Sequence, residues 1–470
     1  MSFLRRPVVL MVLGLVVLGL GGFAYTTRDT KKVDPAAATR CQFPPCRASA
    51  DPVPTRGFEG GYVAADPANP DHVIVTDADV LANACSFHTT FNRGKDWSEG
   101  PFALPAGYLG CRINPGSGGH VPNGSVVLAP SGRVYAVFGS AAVTDNRRES
   151  IMLATSTDGG KTFGQAKVAM APTGPDIGLA RPLMTVAAGP GGKDTLLVSS
   201  WSCHPTAAGT ACDQALFSRS DDSGDTFAAP IIANDAPAGQ NPSQPAMDKG
   251  GAIYETYQRR FSDGPVQLYL AKSVDGGKTF TSSLIDTQVN IGIQYDPAKI
   301  IADPHSGTLY TTWADTRTGR AQIFLRISTD QGATWGDKPV LLAPDPGFTG
   351  QSRSPSISLA PNGRIDVVYY HTSPAPDLQD FDDVYLSYST DGGANFLSKQ
   401  VNDQPIDRKK GYSGPAASMR QLGNWYPPTV SSTDSAAYVV WSDTSQATDI
   451  TNTQDVVLRR VEILGSSPPP

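Results

Sequence analysis

Arg181, Arg353 and Arg420 each stand just before a short β-prone run. A guanidinium offers a planar fork of donors that grips a carboxylate through two parallel hydrogen bonds. Three of them converging from three strands would anchor an acidic ligand; spread apart, they serve as separate rim charges or as bridges between neighbouring units. Glu59, His120, Gln244, Tyr295, Asp296 and Trp425 occupy corresponding places, so a pocket built from these strand starts is polar and mixed in charge. Other chemistries are excluded by spacing. The GGKT strings at Gly159 and Gly276 have Thr155 and Lys272 where a phosphate-binding loop needs its first glycine, and neither GxSxG nor HExxH occurs. No CxxC or close histidine pairing appears, so no metal centre and no cofactor are expected.

A repeat positions these residues. The pattern SxDxGxT followed by Phe or Trp is complete from Ser156, Ser220, Ser273 and Ser328, and worn copies start at Thr90 and Ser389. Its third residues, Asn92, Asp158, Asp222, Asp275, Asp330 and Asp391, recur every 53 to 66 residues, far too long for a lone hairpin and typical of a repeated sheet unit. Asp can bond the backbone two residues on, Gly accepts positive φ, and the aromatic can pack back under the loop. Each copy is therefore a structural turn, and a single active site has no use for six of them.

Short alternating strands precede the turns, at Ile151–Thr155, Gln214–Arg219, Gln267–Lys272, Gln322–Ile327 and Asp383–Tyr388. Further upstream a strand pair closes on a tight turn, as at Pro130–Gly132 and Pro361–Gly363. Four antiparallel strands per unit predict an all-β propeller of seven blades, with six as the alternative. A last unit over Tyr426–Ser431, Ala437–Ser442 and Asp455–Ile463 has three strands; a segment before Phe58 would supply the fourth and close the ring. Tight turns and repeated turns then share one face. The longer polar loops, Thr144–Glu149, His204–Thr210, Arg259–Gly264, Asp315–Arg320, Pro374–Asp382 and Asp443–Asn452, open on the other, where a site belongs.

These turns resemble the Asp-box, or BNR, repeat of the sialidase superfamily, over roughly Gly57 to Leu464. The resemblance implies a propeller, with Asp158, Asp222, Asp275, Asp330 and Asp391 as structural box residues. It also implies an arginine triad for the sugar acid, a Tyr nucleophile, a Glu that activates it and an Asp acid/base. In this chain the matching candidates are Arg181, Arg353 and Arg420; Tyr412 or Tyr426; Glu59 or Glu255; and Asp315 or Asp443, each of the last two following a Trp by two residues and equally suited to capping a turn. The chain departs from the family's FRIP motif: its nearest string, Arg112, Ile113, Asn114 and Pro115, follows the first box and lacks the Phe. Two functions stay open, a propeller that binds a glycan or protein on its long-loop face, which is preferred, and a sialidase-like hydrolase cleaving an acidic sugar.

Composition agrees with one large exported domain. A net charge of −6 and no basic stripe argue against a nucleic-acid partner. Arg5 and Arg6 precede an apolar run from Pro7 to Tyr25, so residues 1–25 read as a signal peptide or membrane anchor, the only predicted membrane contact, and place the rest outside the cytoplasm. Residues 26–56 read as a flexible linker, 57–464 as the propeller and 465–470 as a disordered tail. In such a compartment six cysteines predict three local disulfides: Cys41 with Cys46, Cys85 with Cys111, and Cys203 with Cys212.

Overall fold

The computed structural model describes residues 46–47, 58–79, 84–110, 123–174, 178–206, 209–235, 239–240, 243–259, 266–288, 298–342, 349–375, 377–378, 380–410, 427–445, 447 and 454–463. They form seven antiparallel sheets, each built around four strands, so seven blades hold and six do not. Blade 1 comprises Phe58–Ala65, Val73–Asp79, Ala84–Thr90 and Ser98–Pro101; blade 2, Asn123–Leu128, Val134–Ala142, Asp145–Ser156 and Lys167–Met170. Blade 3 runs Gly178–Ala188, Asp194–Thr206, Gly209–Ser220 and Ile231–Ile232; blade 4, Ala246–Met247, Ile253–Arg259, Val266–Ser273 and Thr281–Gln288. Blade 5 is Lys299–Ala302, Leu309–Asp315, Gln322–Ser328 and Val340–Leu342; blade 6, Gln351–Leu359, Ile365–Thr372, Phe381–Ser389 and Leu397–Gln400.

Blade 7 takes Thr429–Ser432, Ala436–Asp443 and Asp455–Glu462 from the end of the propeller and its outer strand, Cys46–Arg47, from ahead of Phe58. Cys46 faces Leu458 and Arg47 faces Val457. The closing strand expected before Phe58 thus comes from within the stretch read as a linker. Two stretches expected as long loops are instead hairpin extensions of strands: blade 2 turns at Val143 and Thr144, and in blade 3 Thr206 pairs with Gly209.

The repeated turns dock each blade on the one before it. In blade 3 the Ser220 hydroxyl donates to Asp222 Oδ1 at 2.8 Å, and Ser220 Oγ accepts the Gly224 N–H at 2.9 Å. Asp222 then accepts the Thr226 N–H and hydroxyl at 2.9 and 2.6 Å. Asp158, Asp275, Asp330 and Asp391 repeat this pattern, with Asn395 in the last copy replacing Thr. The bonds from Thr334 and the Ser328 hydroxyl hold Asp330 down to about 2. The carbonyls left over reach across the seam: Gly159 O takes the His72 ring of blade 1 at 2.7 Å, Gly276 O the Arg219 guanidinium of blade 3 at 3.3 Å and Gln331 O the Lys272 ammonium of blade 4 at 3.0 Å.

What the turn presents outward is glycine and an aromatic. A Cβ on Gly224 would lie 2.5 Å from Leu153 of blade 2, one on Gly160 would lie 3.1 Å from Ile74 of blade 1, and one on Gly277 would overlap the ring of Phe217 in blade 3. Phe163 of the blade 2 turn packs tilted against Phe87 of blade 1 at 4.7 Å, and Phe280 meets Phe217 edge-on at 5.2 Å. Polar bolts on the same face continue the seams. Asp194 of blade 3 accepts bonds from Ser131 and Tyr135 of blade 2 at 2.6 and 2.7 Å, while fully buried Arg364 of blade 6, paired with Asp366, donates to the Thr433 and Ala436 carbonyls of blade 7.

Seam 7/1, where the ring closes, carries a buried ion cluster. His88 reaches Asp77 at 3.1 Å and Glu99 at 3.0 Å, on the side of blade 1 whose Val75 packs among Val440 and Val456. Burial pulls the imidazole down, but Asp77 and then Glu99 outweigh it and carry His88 up to about 9.

Two outcomes test this account. Gly276 and Gly277 share positive φ of 78° and 87°, but a Cβ on Gly276 meets only the mobile tip of Arg219 at 3.2 Å. Both Ala variants carry the left-handed cost of about 1–2 kcal/mol; Gly277→Ala adds about 1–3 kcal/mol of overpacking, read as a larger loss in urea unfolding. For His88, the folded value lies above the unfolded 6.5, so its stabilisation is complete below about pH 6.5 and lost as pH rises through about 9. The unfolding free-energy gap between wild type and His88→Gln should shrink across that window, and a constant gap would exclude a charged His88.

Candidate functional site

Seven inner strands surround an axial channel of about 660 Å³, from Tyr62 and Gln244 at the long-loop mouth to Pro130, His305 and Pro361 at the tight-turn end. Among the described residues its lining contains no Asp or Glu, whereas Lys299 and His305 contribute cationic or titratable nitrogen.

Inner strands enter the mouth through bulges, which re-aim side chains. Register shifts fall between Glu59 and Tyr62, Asn123 and Val126, Ala180 and Leu183, and Arg353 and Ser356. Within three of them one residue is left-handed: Gly60 at φ 62°, Arg181 at 51° and Ser354 at 56°. Gly tolerates this freely, whereas Arg and Ser hold it against a steric cost that the surrounding sheet must offset.

Arg181 thereby lays its guanidinium over the Trp201 ring, 4.9 Å from the centroid. It also lies close enough to Tyr62 of blade 1 to oppose the rise that burial imposes on that phenol. Gln244 of blade 4 is held alongside, donating to the Met184 carbonyl at 2.9 Å and to Thr185 at 3.2 Å. The stacked Arg181–Trp201 pair thus lies near the channel-lining Tyr62 and Gln244.

Arg353 goes elsewhere. It precedes the left-handed residue of its bulge, while Arg181 is the left-handed residue, and this offset of one position turns Arg353 into its own blade. There it grips buried Asp382 with both terminal nitrogens and donates to Thr372 at 2.8 Å. The expectation that Arg353 anchors a ligand carboxylate is corrected accordingly: its fork already holds an internal one. Arg420 lies outside the described residues, as do Tyr412 and Tyr426, so the described residues do not assemble the three arginines.

The acid candidates are placed as follows. Asp315 accepts the Trp313 indole N–H at 2.9 Å, the Arg317 N–H at 2.9 Å and the Arg317 guanidinium, which makes it a turn cap, the second of its two expected roles. Asp443 likewise accepts the Ser445 N–H at 2.5 Å. Glu255 lies 1% exposed in the seam between blades 3 and 4, bonded by the Ser199 hydroxyl, and burial pushes it up to about 8. No tyrosine nucleophile touches it among the described contacts. Glu59 pairs with Ala78 in blade 1, and its side chain lies outside the described residues. Cys85 and Cys203 are buried and disulfide-bonded. Cys203 faces Cys212 across the blade 3 ladder, while Cys41 and Cys111 and the side chains of Cys46 and Cys212 lie outside the described residues. Residues 7–25 also lie outside them, and among the described residues no helix is long and apolar enough to cross a membrane.

Sequence reasoning missed Tyr62, Trp201 and Ser199 as partners of the site. Tyr62 follows the Gly60–Gly61 pair that marks a bulge, but nothing local says that it shares a lip with Arg181, two blades away.

No family model matches the chain, and no curated protein matches it by sequence. Among solved structures it is similar to a protein of unknown function from Dyadobacter fermentans, 15% identical, with a TM-score of 0.50 over 77% of this chain and 97% of that one. A Hadza microbial sialidase is 16% identical, with a TM-score of 0.46 over 73% and 65% of the two chains. An α-L-arabinanase from Penicillium chrysogenum is 15% identical, with a TM-score of 0.40 over 68% and 90%. At such identities the likeness to the Dyadobacter protein speaks to the fold alone.

If Arg353 is an internal strut, Asp382→Ala strands a buried guanidinium and lowers stability by about 3–5 kcal/mol in urea unfolding. An Asp382→Ala protein of wild-type stability would return Arg353 to the pool of ligand-binding residues.

Proposed function

We propose that the chain is an exported propeller that recognises an acidic glycan at its long-loop mouth, with Arg181 as the carboxylate anchor and Trp201 as the surface under it. The observation that carries this reading is Arg181 itself, an arginine held left-handed over an aromatic ring, at the lip of a channel whose described lining has no Asp or Glu. Stacking fixes the guanidinium plane, so less freedom is lost when the fork takes a carboxylate. Tyr62 and Gln244 add a phenol and an amide suited to sugar hydroxyls. The resemblance of the repeated turns to those of sialidases points to the same ligand class.

Recognition is favoured over hydrolysis by what the described carboxylates are doing. Asp315 and Asp443 cap turns, Asp382 neutralises Arg353, and Glu255 is bonded in a seam. A phenol needs a neighbouring base to act as nucleophile, and none of these carboxylates is placed to activate Tyr62. Export follows from Arg5, Arg6 and the apolar run behind them, and with it the pairings of Cys41 with Cys46, Cys85 with Cys111 and Cys203 with Cys212.

Calorimetry with α2,3-sialyllactose and a glucuronate-terminated disaccharide against neutral lactose tests the reading. Acidic sugars should bind and lactose should not, and Arg181→Ala should weaken binding about tenfold or more, the loss of a charge-assisted pair. Equal binding by Arg181→Ala, or preference for lactose, would discard the anchor. Turnover of a fluorogenic sialoside would convert the binder into an enzyme.

A further inference from the structure

Beneath the Arg181–Trp201 pair lies a buried carboxyl that a purely structural seam has no use for. Ser199 and Trp201 alternate on one face of the second strand of blade 3, the face turned to blade 4, as the packing of Leu197 and Phe217 against Ile253 and Tyr257 shows. Glu255 stands opposite on the second strand of blade 4 and accepts the Ser199 hydroxyl through Oε1. Its other oxygen, Oε2, is buried with no hydrogen-bond partner among the described residues. Glu255 is thus bonded to Ser199, Ser199 stands two residues from Trp201 on one strand face, and Trp201 carries Arg181.

We propose that Glu255 is a positioning residue for the mouth: through Ser199 it sets the place of Trp201 and hence of Arg181, so that affinity for an acidic ligand follows the protonation state of this carboxyl. This rests on the reading of Arg181 as the ligand anchor. A neutral carboxyl suits the apolar seam, because its proton removes the charge that burial penalises. An ionised one needs water or a cation, and drawing either into the seam displaces the side chains above it. Burial pushes the group up to about 8, which places the change close to neutrality.

The groups that face it do not supply a ready counter-charge. On its own strand, Tyr257 donates to Asp235 and accepts from the Ser282 hydroxyl, and Arg259 is paired with Asp235 and lies over the Tyr269 ring at 4.5 Å. From blade 3 come Ser199, Trp201, Phe217 and, above them, Arg181 on its aromatic partner. Ionised Glu255 therefore leaves a charge in the seam with no counter-ion among these contacts.

Binding of α2,3-sialyllactose measured from pH 6 to pH 9 on the full chain decides the matter, with Glu255→Gln as a permanently neutral mimic and Ser199→Ala cutting the link. Wild-type affinity should fall at least fivefold as pH passes about 8, while Glu255→Gln keeps the low-pH affinity throughout and Ser199→Ala loses the pH dependence. The proposal is overturned if Glu255→Gln follows the wild-type profile, or if wild-type affinity is flat while Arg181→Ala abolishes binding; that second outcome leaves the ligand anchor standing. Should no acidic sugar bind at any pH, the functional reading fails by itself. The line from Glu255 is then read from Trp201 emission, taken as wild type minus Trp201→Phe: a shift through about pH 8 that Glu255→Gln lacks sustains it, and unchanged emission ends it.

Discussion

A blade of four strands buries neither of its faces, so everything in this molecule depends on how one sheet is seated on the next. Glycine solves the seating problem at the tips. Gly160, Gly224, Gly277, Gly332 and Gly393 each bring backbone to where a Cβ would collide with the preceding blade, and each is left-handed. The Ser–Asp–Thr bonds around them hold the turn in the shape that approach needs, and the carbonyls of Gly159, Gly276 and Gln331 accept bonds from side chains of the preceding blade. Aromatics then fill the wedge that opens toward the rim, as Phe163 and Phe280 do.

Charge is handled in the seams by the same logic of local satisfaction. Arg364 with Asp366 and Arg353 with Asp382 are buried pairs whose desolvation is offset only by close bidentate geometry and additional acceptors. Glu255 departs from that rule in having a hydroxyl where the others have a guanidinium. Arg181 departs in the other direction, an arginine that faces an aromatic ring at the channel lip. The two exceptions come from the neighbouring blades 3 and 4, Arg181 on the first and Glu255 in the seam between them.

Much of the fold was legible because it is local. Strand periodicity, the spacing of Asp158, Asp222, Asp275, Asp330 and Asp391, and the Gly–Pro punctuation each report on a few neighbouring residues, and repetition turned weak local signals into an architecture. The missing strand of blade 7 could be anticipated since a propeller cannot leave that edge open. The site was less legible for a geometric reason. Arg181 and Arg353 both precede inner strands in sequence, yet within a bulge a shift of one residue exchanges the channel for the sheet face. Trp201 and Tyr62 reach Arg181 from a neighbouring strand and from another blade, and no pattern along the chain records such meetings.

Ring closure by Cys46–Arg47 also orders the molecule in time and under load. The outer strand of blade 7 is synthesised before any other part of the propeller, and it pairs with Asp455–Glu462, the last strand made. A nascent chain therefore holds up to six blades in an open arc, with the faces of blades 1 and 6 that pack on blade 7 bare, until the final strand arrives. Tension on the segment before Cys46 reaches the ring, among the described residues, through the pairing of Cys46 and Arg47 with Leu458 and Val457, which makes this clasp the joint between the leading segment and the propeller.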